Sequence, residues 1–345
     1  MKFRFILLVL LAAAAASLTS SCTQKTIARD DRCRINVGIV FDIGGKNDRS
    51  FNAAAWEGVK RAQQDLPICL YDVEPGNPTS IEPAMRAFAE RNFDLVIGVG
   101  FAQGPIMQKV AVDYPNIKFA IIDGVIVDKD GNPLPNVADL VFREHEGSYL
   151  VGMIAASKSK TGTVGFLGGM DIPLIHAFFC GYKEGFMATN AQGSVFENYT
   201  GTTASAWNDP VGAGELAKAD FDKGADIVYA AAGASGLGVL QAAKDAGKLS
   251  IGVDSNQNYL QPGSVLTSVL KRVDNTVYDA FKNDKDFKGG VVSLGVAEKG
   301  VGLAMDDNNK PLITADAQKA VDDATAGIAS GTIKVHDYTT DSQCP

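Results

Sequence analysis

Apolar runs of five or six residues alternate with amphipathic stretches along most of this chain. The runs at 36–41, 68–73, 94–99, 118–122, 163–167, 226–231, 249–253 and 291–296 are bounded by turn residues and predict buried strands. Between them, apolar positions recur at helical spacing over 51–65, 80–92, 104–113, 146–158, 174–190, 211–223 and 236–247. Such alternation predicts parallel sheets of βαβ units covered by helices, an α/β fold. The pattern divides near Glu144, and the chain is longer than one core usually holds. Two doubly wound α/β lobes facing each other across a ligand cleft are therefore expected. The polar stretch Val127 to Pro135, rich in Gly and Pro, predicts a surface hairpin or loop.

The segment Val37 to Gly58 carries the most chemistry. It reads as a strand, a polar loop opening at Asp42 with two glycines, then a helix from near Ser50. Open α/β sheets bind ligands in loops at the carboxyl ends of strands. This loop offers a carboxylate (Asp42), an aromatic ring (Phe51) and an amide (Asn52), a set suited to a flat, polar, uncharged ligand with hydroxyls.

The N-terminus changes the expected location. Lys2 and Arg4 precede an unbroken apolar run from Phe5 to Ala16, too short for a bilayer span of ~20 residues. Cys22 follows Leu18-Thr19-Ser20-Ser21, with the aliphatic residue four places before it where lipoprotein sites usually have three. Residues 1–22 read as a lipoprotein signal peptide, with Cys22 the lipidated residue; cleavage to a soluble secreted chain is the alternative. Residues 23–34 read as a tether. The mature protein is then expected in the cell envelope, anchored to a membrane by lipid. No later segment is apolar enough to span a bilayer.

The formal charge is −8. Without Lys2 and Arg4, 30 basic residues stand against 40 acidic ones, a charge of −10. An acidic chain without basic runs argues against nucleic acid partners. Of the five cysteines, lipidation of Cys22 leaves Cys33, Cys69, Cys180 and Cys344, an even number that permits disulfides in an exported protein. Neighbouring parallel strands would bring Cys33 near Cys69; for Cys180, in an apolar helical stretch, a small buried hydrophobe is the alternative to a disulfide, and the pairing stays open. No Cys/His spacing supports a metal site.

Other readings fail on inventory. The turns Gly98–Gly104 and Gly233–Gly238 follow strands, but neither has the spacing of a dinucleotide fingerprint. Gly233 is better read as offering backbone N–H groups to a ligand. Three histidines, none in a zincin or triad context, leave no enzyme signature. No cofactor is expected. What remains is an acid at the end of strand after strand: Asp42, Asp123 and Asp254. Each alone reads as a cap or turn former. Together they form a set of acceptors able to take the hydroxyls of a ribose. Phe51 from the first lobe, and Phe178 and Trp207 from the second, are the candidate stacking rings.

The stretch FDIGGKNDRSFNAAAWEG (41–58) resembles the opening signature of the basic-membrane-protein family of substrate-binding lipoproteins. Further segments fit in order: FAIIDG (119–124), REHEGSYLVG (143–152), GTVGFLGGM (162–170), GADIVYAAAG (224–233), IGVD (251–254) and LTSVLKR (266–272). The resemblance spans roughly residues 35–300. It implies a type I periplasmic-binding-protein fold and service to an ABC permease. It further implies a nucleoside ligand, a purine one in the best-known members, and a monomer that works by cleft closure. Lys271 enters the site on this resemblance. The family's second-lobe aromatic is usually Phe, where Trp207 stands here. Chain crossings of the implied fold put residues 35–143 with about 264–288 in the first lobe, and 144–263 with about 289–345 in the second. Riboflavin or a sugar as ligand, a ligand-sensing co-receptor, and a nucleoside hydrolase or dehydrogenase are the alternatives.

Overall fold

The computed structural model describes residues 28–345. Cys22 and the expected signal peptide lie outside the described residues. Twelve strands are assigned among the described residues: β1 Ile35–Val40, β2 Ile68–Val73, β3 Leu95–Val99, β4 Lys118–Ile122, β5 Val137–Phe142, β6 Thr163–Met170, β7 Ser194–Gly201, β8 Ile227–Ala231, β9 Leu249–Asp254, β10 Val265–Lys271, β11 Gly290–Leu294 and β12 Val301–Leu303. The helices are α1 Phe51–Asp65, α2 Ile81–Ala89, α3 Gly104–Asp113, α4 Glu144–Lys158, α5 Pro173–Thr189, α6 Pro210–Asp222, α7 Gly236–Asp245, α8 Val273–Lys282 and α9 Ala315–Ser330.

The strands form two six-stranded sheets, in the orders β11-β5-β4-β3-β1-β2 and β12-β10-β9-β8-β6-β7. All pairings are parallel except β10 with β12. The two orders correspond strand for strand, so the lobes repeat one topology except at the edge, where β11 runs parallel to β5 and β12 antiparallel to β10. Strands β1, β3 and β8 are buried throughout, which explains their unbroken apolar runs. On one face of the first sheet, Met85, Phe88, Met107 and Val110 pack against Val40, Val96 and Ile121. On the other, α1 lies against α8, with Ala55 and Val59 beside Val277 and Phe281 in one core. Each such fully buried large side chain is worth about 1.5–3 kcal/mol.

The chain passes between lobes at three places: Arg143 between β5 and α4, Arg272 between β10 and α8, and residues 295–300 between β11 and β12. The crossings are tied together. The Arg143 backbone N–H donates to the Leu294 carbonyl at 3.0 Å, and that of Arg272 to Gly300 at 2.8 Å. Glu146 accepts from Arg143 Nε at 2.6 Å and from the Val296 backbone N–H at 2.6 Å.

Two lobe boundaries differ from the sequence expectation. Segment 264–288 is divided: β10 is a strand of the second sheet, and only α8 packs on the first lobe. Within 289–345, β11 pairs with β5 in the first sheet, while β12 and α9 pack on the second lobe. Cys33 is bonded to Cys69, and Cys180 to Cys344. The pairing that the sequence left open is thus Cys33 with Cys69 and Cys180 with Cys344, and the alternative of Cys180 as a lone buried hydrophobe falls away. None of the described helices is long and apolar enough to cross a membrane.

Candidate functional site

The cleft lies where the carboxyl ends of both sheets meet. β1 delivers Asp42, and Asp48 then organises the loop, accepting from the backbone N–H groups of Ser50, Asn52 and Ala53 at 2.9 Å each. Asp48 therefore supplies the capping contacts of α1 that Ser50's side chain does not make. Asn52 is used within the loop: its Oδ1 accepts from the Asp42 N–H at 2.9 Å and its Nδ2 donates to Asp48 at 3.1 Å. Gly100, at φ 105°, makes room for Asp42, since a Cβ there would sit 2.4 Å from Asp42 Oδ2.

Asp123 follows β4 and Asp254 ends β9, the equivalent strand in the second lobe. Both have left-handed backbone, φ 65° and 63°, which Asp tolerates better than most residues. That conformation turns the chain at the strand end and leaves the carboxylate facing the cleft. Lys271, at the end of β10, lies 2.6 Å from Asp123 Oδ2 and 2.8 Å from Glu144 Oε1, with side-chain exposures of 2%, 6% and 3%. Its ammonium also sits 5.3, 5.1 and 5.6 Å from the ring centres of Phe51, Phe142 and Phe178. Asp123 Oδ1 is buried and has no hydrogen-bond partner among the described residues.

Burial dominates the titration of these acids. It raises Asp42 to about 6, against the Ile43 N–H, with Asp123 and Asp48 adding to the rise. It raises Asp254 to about 6, opposed by Lys271 and Ser50. Glu144 is pushed up to about 7 by burial, opposed by Lys271. Asp123 and Asp48 also move up. Burial pulls Lys271 down, but Asp123, Glu144 and Asp254 outweigh it and hold the ammonium charged.

Phe51, at the start of α1, and Phe178, on α5, come from opposite lobes and both line the cleft. Trp207 also lines it, its ring packed close against Gly169, where a Cβ would be 2.2 Å from a ring carbon. Gly233 lies beside it. The structure thus brings together Asp42, Phe51, Asn52, Asp123, Phe178, Trp207, Gly233, Asp254 and Lys271. Sequence reasoning missed Asp48, Glu144 and Phe101. Phe101, after β3, meets Trp207 edge-on at 6.5 Å across the cleft. It sits inside the glycine turn 98–104, which drew attention to backbone rather than side chain.

The lobes touch across the cleft. Ser50 Oγ donates to Asp254 Oδ2 at 2.5 Å, Ser255 Oγ to the Ser50 carbonyl at 2.8 Å, and Gln257 Nε2 to the Arg49 carbonyl at 2.9 Å. The free volume between them is about 60 Å³.

A family model described as "ABC transporter substrate-binding protein PnrA-like" matches residues 35–339. The chain belongs to this Bmp family. Among its relatives is basic membrane protein A of Borreliella afzelii, 31% identical over 299 residues, covering 85% of this chain and 88% of that one. An uncharacterized lipoprotein of Pyrococcus abyssi is 33% identical, covering 86% and 74%. A crystal structure of an ABC-transporter solute-binding protein from Aeropyrum pernix K1 superposes with a TM-score of 0.80 at 30% identity, over 88% of this chain and 93% of that one. A periplasmic solute-binding protein of Actinobacillus succinogenes 130z, 16% identical with a TM-score of 0.61 over 81% and 100%, shares the fold. The two lobes have the type I periplasmic-binding-protein fold, and the Bmp family is one of substrate-binding proteins of ABC transporters.

Proposed function

We propose that this Bmp-family protein captures a purine nucleoside at the cell envelope, held there by a lipid on Cys22, and presents it to an ABC permease. The observation that carries the ligand reading is the cleft's composition: rings from both lobes beside buried carboxylates, one of which, Asp123, keeps an unpartnered oxygen. A flat base suits the rings, and ribose hydroxyls suit the acids. Asp42, Asp48, Asp123, Glu144 and Asp254 against the single ammonium of Lys271 disfavour a phosphate, so the nucleoside fits better than its nucleotide.

The mechanism is closure. Ser50, Ser255 and Gln257 bridge the lobes at the cleft, so a ligand enters when the lobes part about the three crossings. Contacts from both lobes then favour the closed form, the state a permease can distinguish. The test is calorimetry of the purified mature protein with inosine, guanosine, adenosine, uridine, riboflavin and ribose. Binding of the purine nucleosides well above the others supports the reading; preference for riboflavin or ribose replaces it.

A further inference from the structure

Segment 336–344 lies along α5 on the side away from the cleft and holds it at three successive turns. His176, Cys180 and Glu184 are spaced by four residues and share one face of the helix. Tyr338 stacks on the His176 ring, 4.7 Å between centroids and 24° between planes. Cys180 is joined to Cys344. Glu184 Oε2 accepts the His336 backbone N–H at 2.9 Å. The His176 ring is further fixed by Asp171, 2.8 Å from Nε2, and by the Tyr199 hydroxyl, 2.8 Å from Nδ1.

The same turns of α5 carry Leu174, Ile175 and Phe178 into the cleft. Position 178 is about 200° around the helix from both 176 and 180. None of the residues that hold α5 from behind lines the cleft. We propose that segment 336–344 is a positioning strap: it fixes the rotation and tilt of α5 and thereby holds the Phe178 ring ready for the ligand. A platform ordered in advance lowers the entropy lost on binding, and its precision depends on the shell behind it. The strap rests on the reading of Phe178 as a ligand-facing ring.

Loss of the disulfide also frees the unfolded chain, so a fall in overall stability alone decides nothing. The deciding comparison uses the mature protein as wild type, Tyr338→Ala, Cys344→Ser, and Cys33→Ser with Cys69→Ser. Tyr338→Ala leaves both disulfides in place. Amide hydrogen exchange at 176–182 is expected to accelerate about tenfold in Tyr338→Ala and Cys344→Ser, with the amides of β6 and β8 little changed. Affinity for inosine is expected to fall about fivefold or more in the same two variants. In a Phe178→Ala background neither change should lower it further. The Cys33/Cys69 variant should show neither effect. Unchanged exchange at 176–182, uniform acceleration through the second lobe, or undiminished losses in the Phe178→Ala background overturns the strap. If wild type binds no inosine, the nucleoside reading falls and the exchange measurement alone decides the strap.

Discussion

Lys271 and Asp123 join the two lobes at the floor of the cleft. Lys271 ends a strand of the second sheet, Asp123 follows a strand of the first, and their charged atoms are 2.6 Å apart with both side chains buried. Glu144, at the first crossing, completes the group. Removing one partner of a buried pair costs about 3–5 kcal/mol, because the other charge stays buried alone. Lys271→Met should therefore lower the melting temperature sharply. Since the stranded acids can take up protons, the loss should be larger at pH 8 than at pH 5.5. Thermal melts at both pH values check this, and equal losses at the two would show that the acids do not depend on Lys271.

Asp254 gives a second pH signature. Its folded value, about 6, lies above its ordinary one, so the folded chain holds this proton more tightly than the unfolded chain. Its contribution to stability is full below pH ~4 and is lost as pH rises through about 6. Urea melts from pH 4 to 8 on wild type and Asp254→Asn measure the difference. Wild type should lose up to ~1.4 kcal/mol per pH unit relative to the variant within that window, and nothing more above it. A difference independent of pH excludes Asp254 as a buried, proton-holding acid.

Much of this was legible in the sequence because strand and helix patterns here are strong. β1, β3 and β8 are buried on both faces and read as continuous apolar runs. The pattern predicts no strand at β7, an edge strand with no fully buried residue, nor at β5, where Asp139 interrupts the apolar run. No strand is predicted at β10, and the sequence reading puts the whole segment 264–288 in the first lobe, whereas β10 belongs to the second sheet. Its apolar residues show that it is buried, but nothing local states which sheet it joins. β11 was misplaced likewise, since its exposed Val291 and Val292 record an edge and not a lobe. The acids were found by their place at strand ends. The pattern marks Glu144 only as a boundary, because only tertiary folding brings it to Lys271.

The rings admit a direct test. Phe51→Ala, Phe178→Ala and Trp207→Ala should each weaken inosine binding by roughly tenfold, or ~1.4 kcal/mol, the low end of a lost stacking face. Calorimetry on folded variants decides it. Full affinity in Trp207→Ala would leave Phe178 as the second-lobe platform and make Trp207 a partner of Phe101 only.

The lipid anchor is tested at Cys22, outside the described residues. Expression of Cys22→Ser in the native host should release the protein from the membrane fraction and abolish the mass added by lipid. A variant that stays membrane-bound and still matures at residue 22 excludes that anchor.

The carboxylates make the sharpest claim about the ligand. Asp42, Asp123 and Asp254 are held in place by the fold, and Asp123 Oδ1 has no partner among the described residues. A buried acceptor left unpaired costs about 1–3 kcal/mol, so a site built for hydroxyls rejects analogues that lack them. A 2′,3′-dideoxynucleoside should bind far more weakly than its parent, and the free base should lose similar affinity. The 5′-monophosphate should be rejected as well, because its charge meets several acids and only one lysine. Competition against a bound purine nucleoside measures all four. If nucleoside, dideoxynucleoside and base compete alike, the acids do not read a ribose, and the nucleoside assignment gives way to another flat ligand. If the monophosphate competes best, Lys271 is available to a phosphate, and its pairing with Asp123 and Glu144 must open on binding.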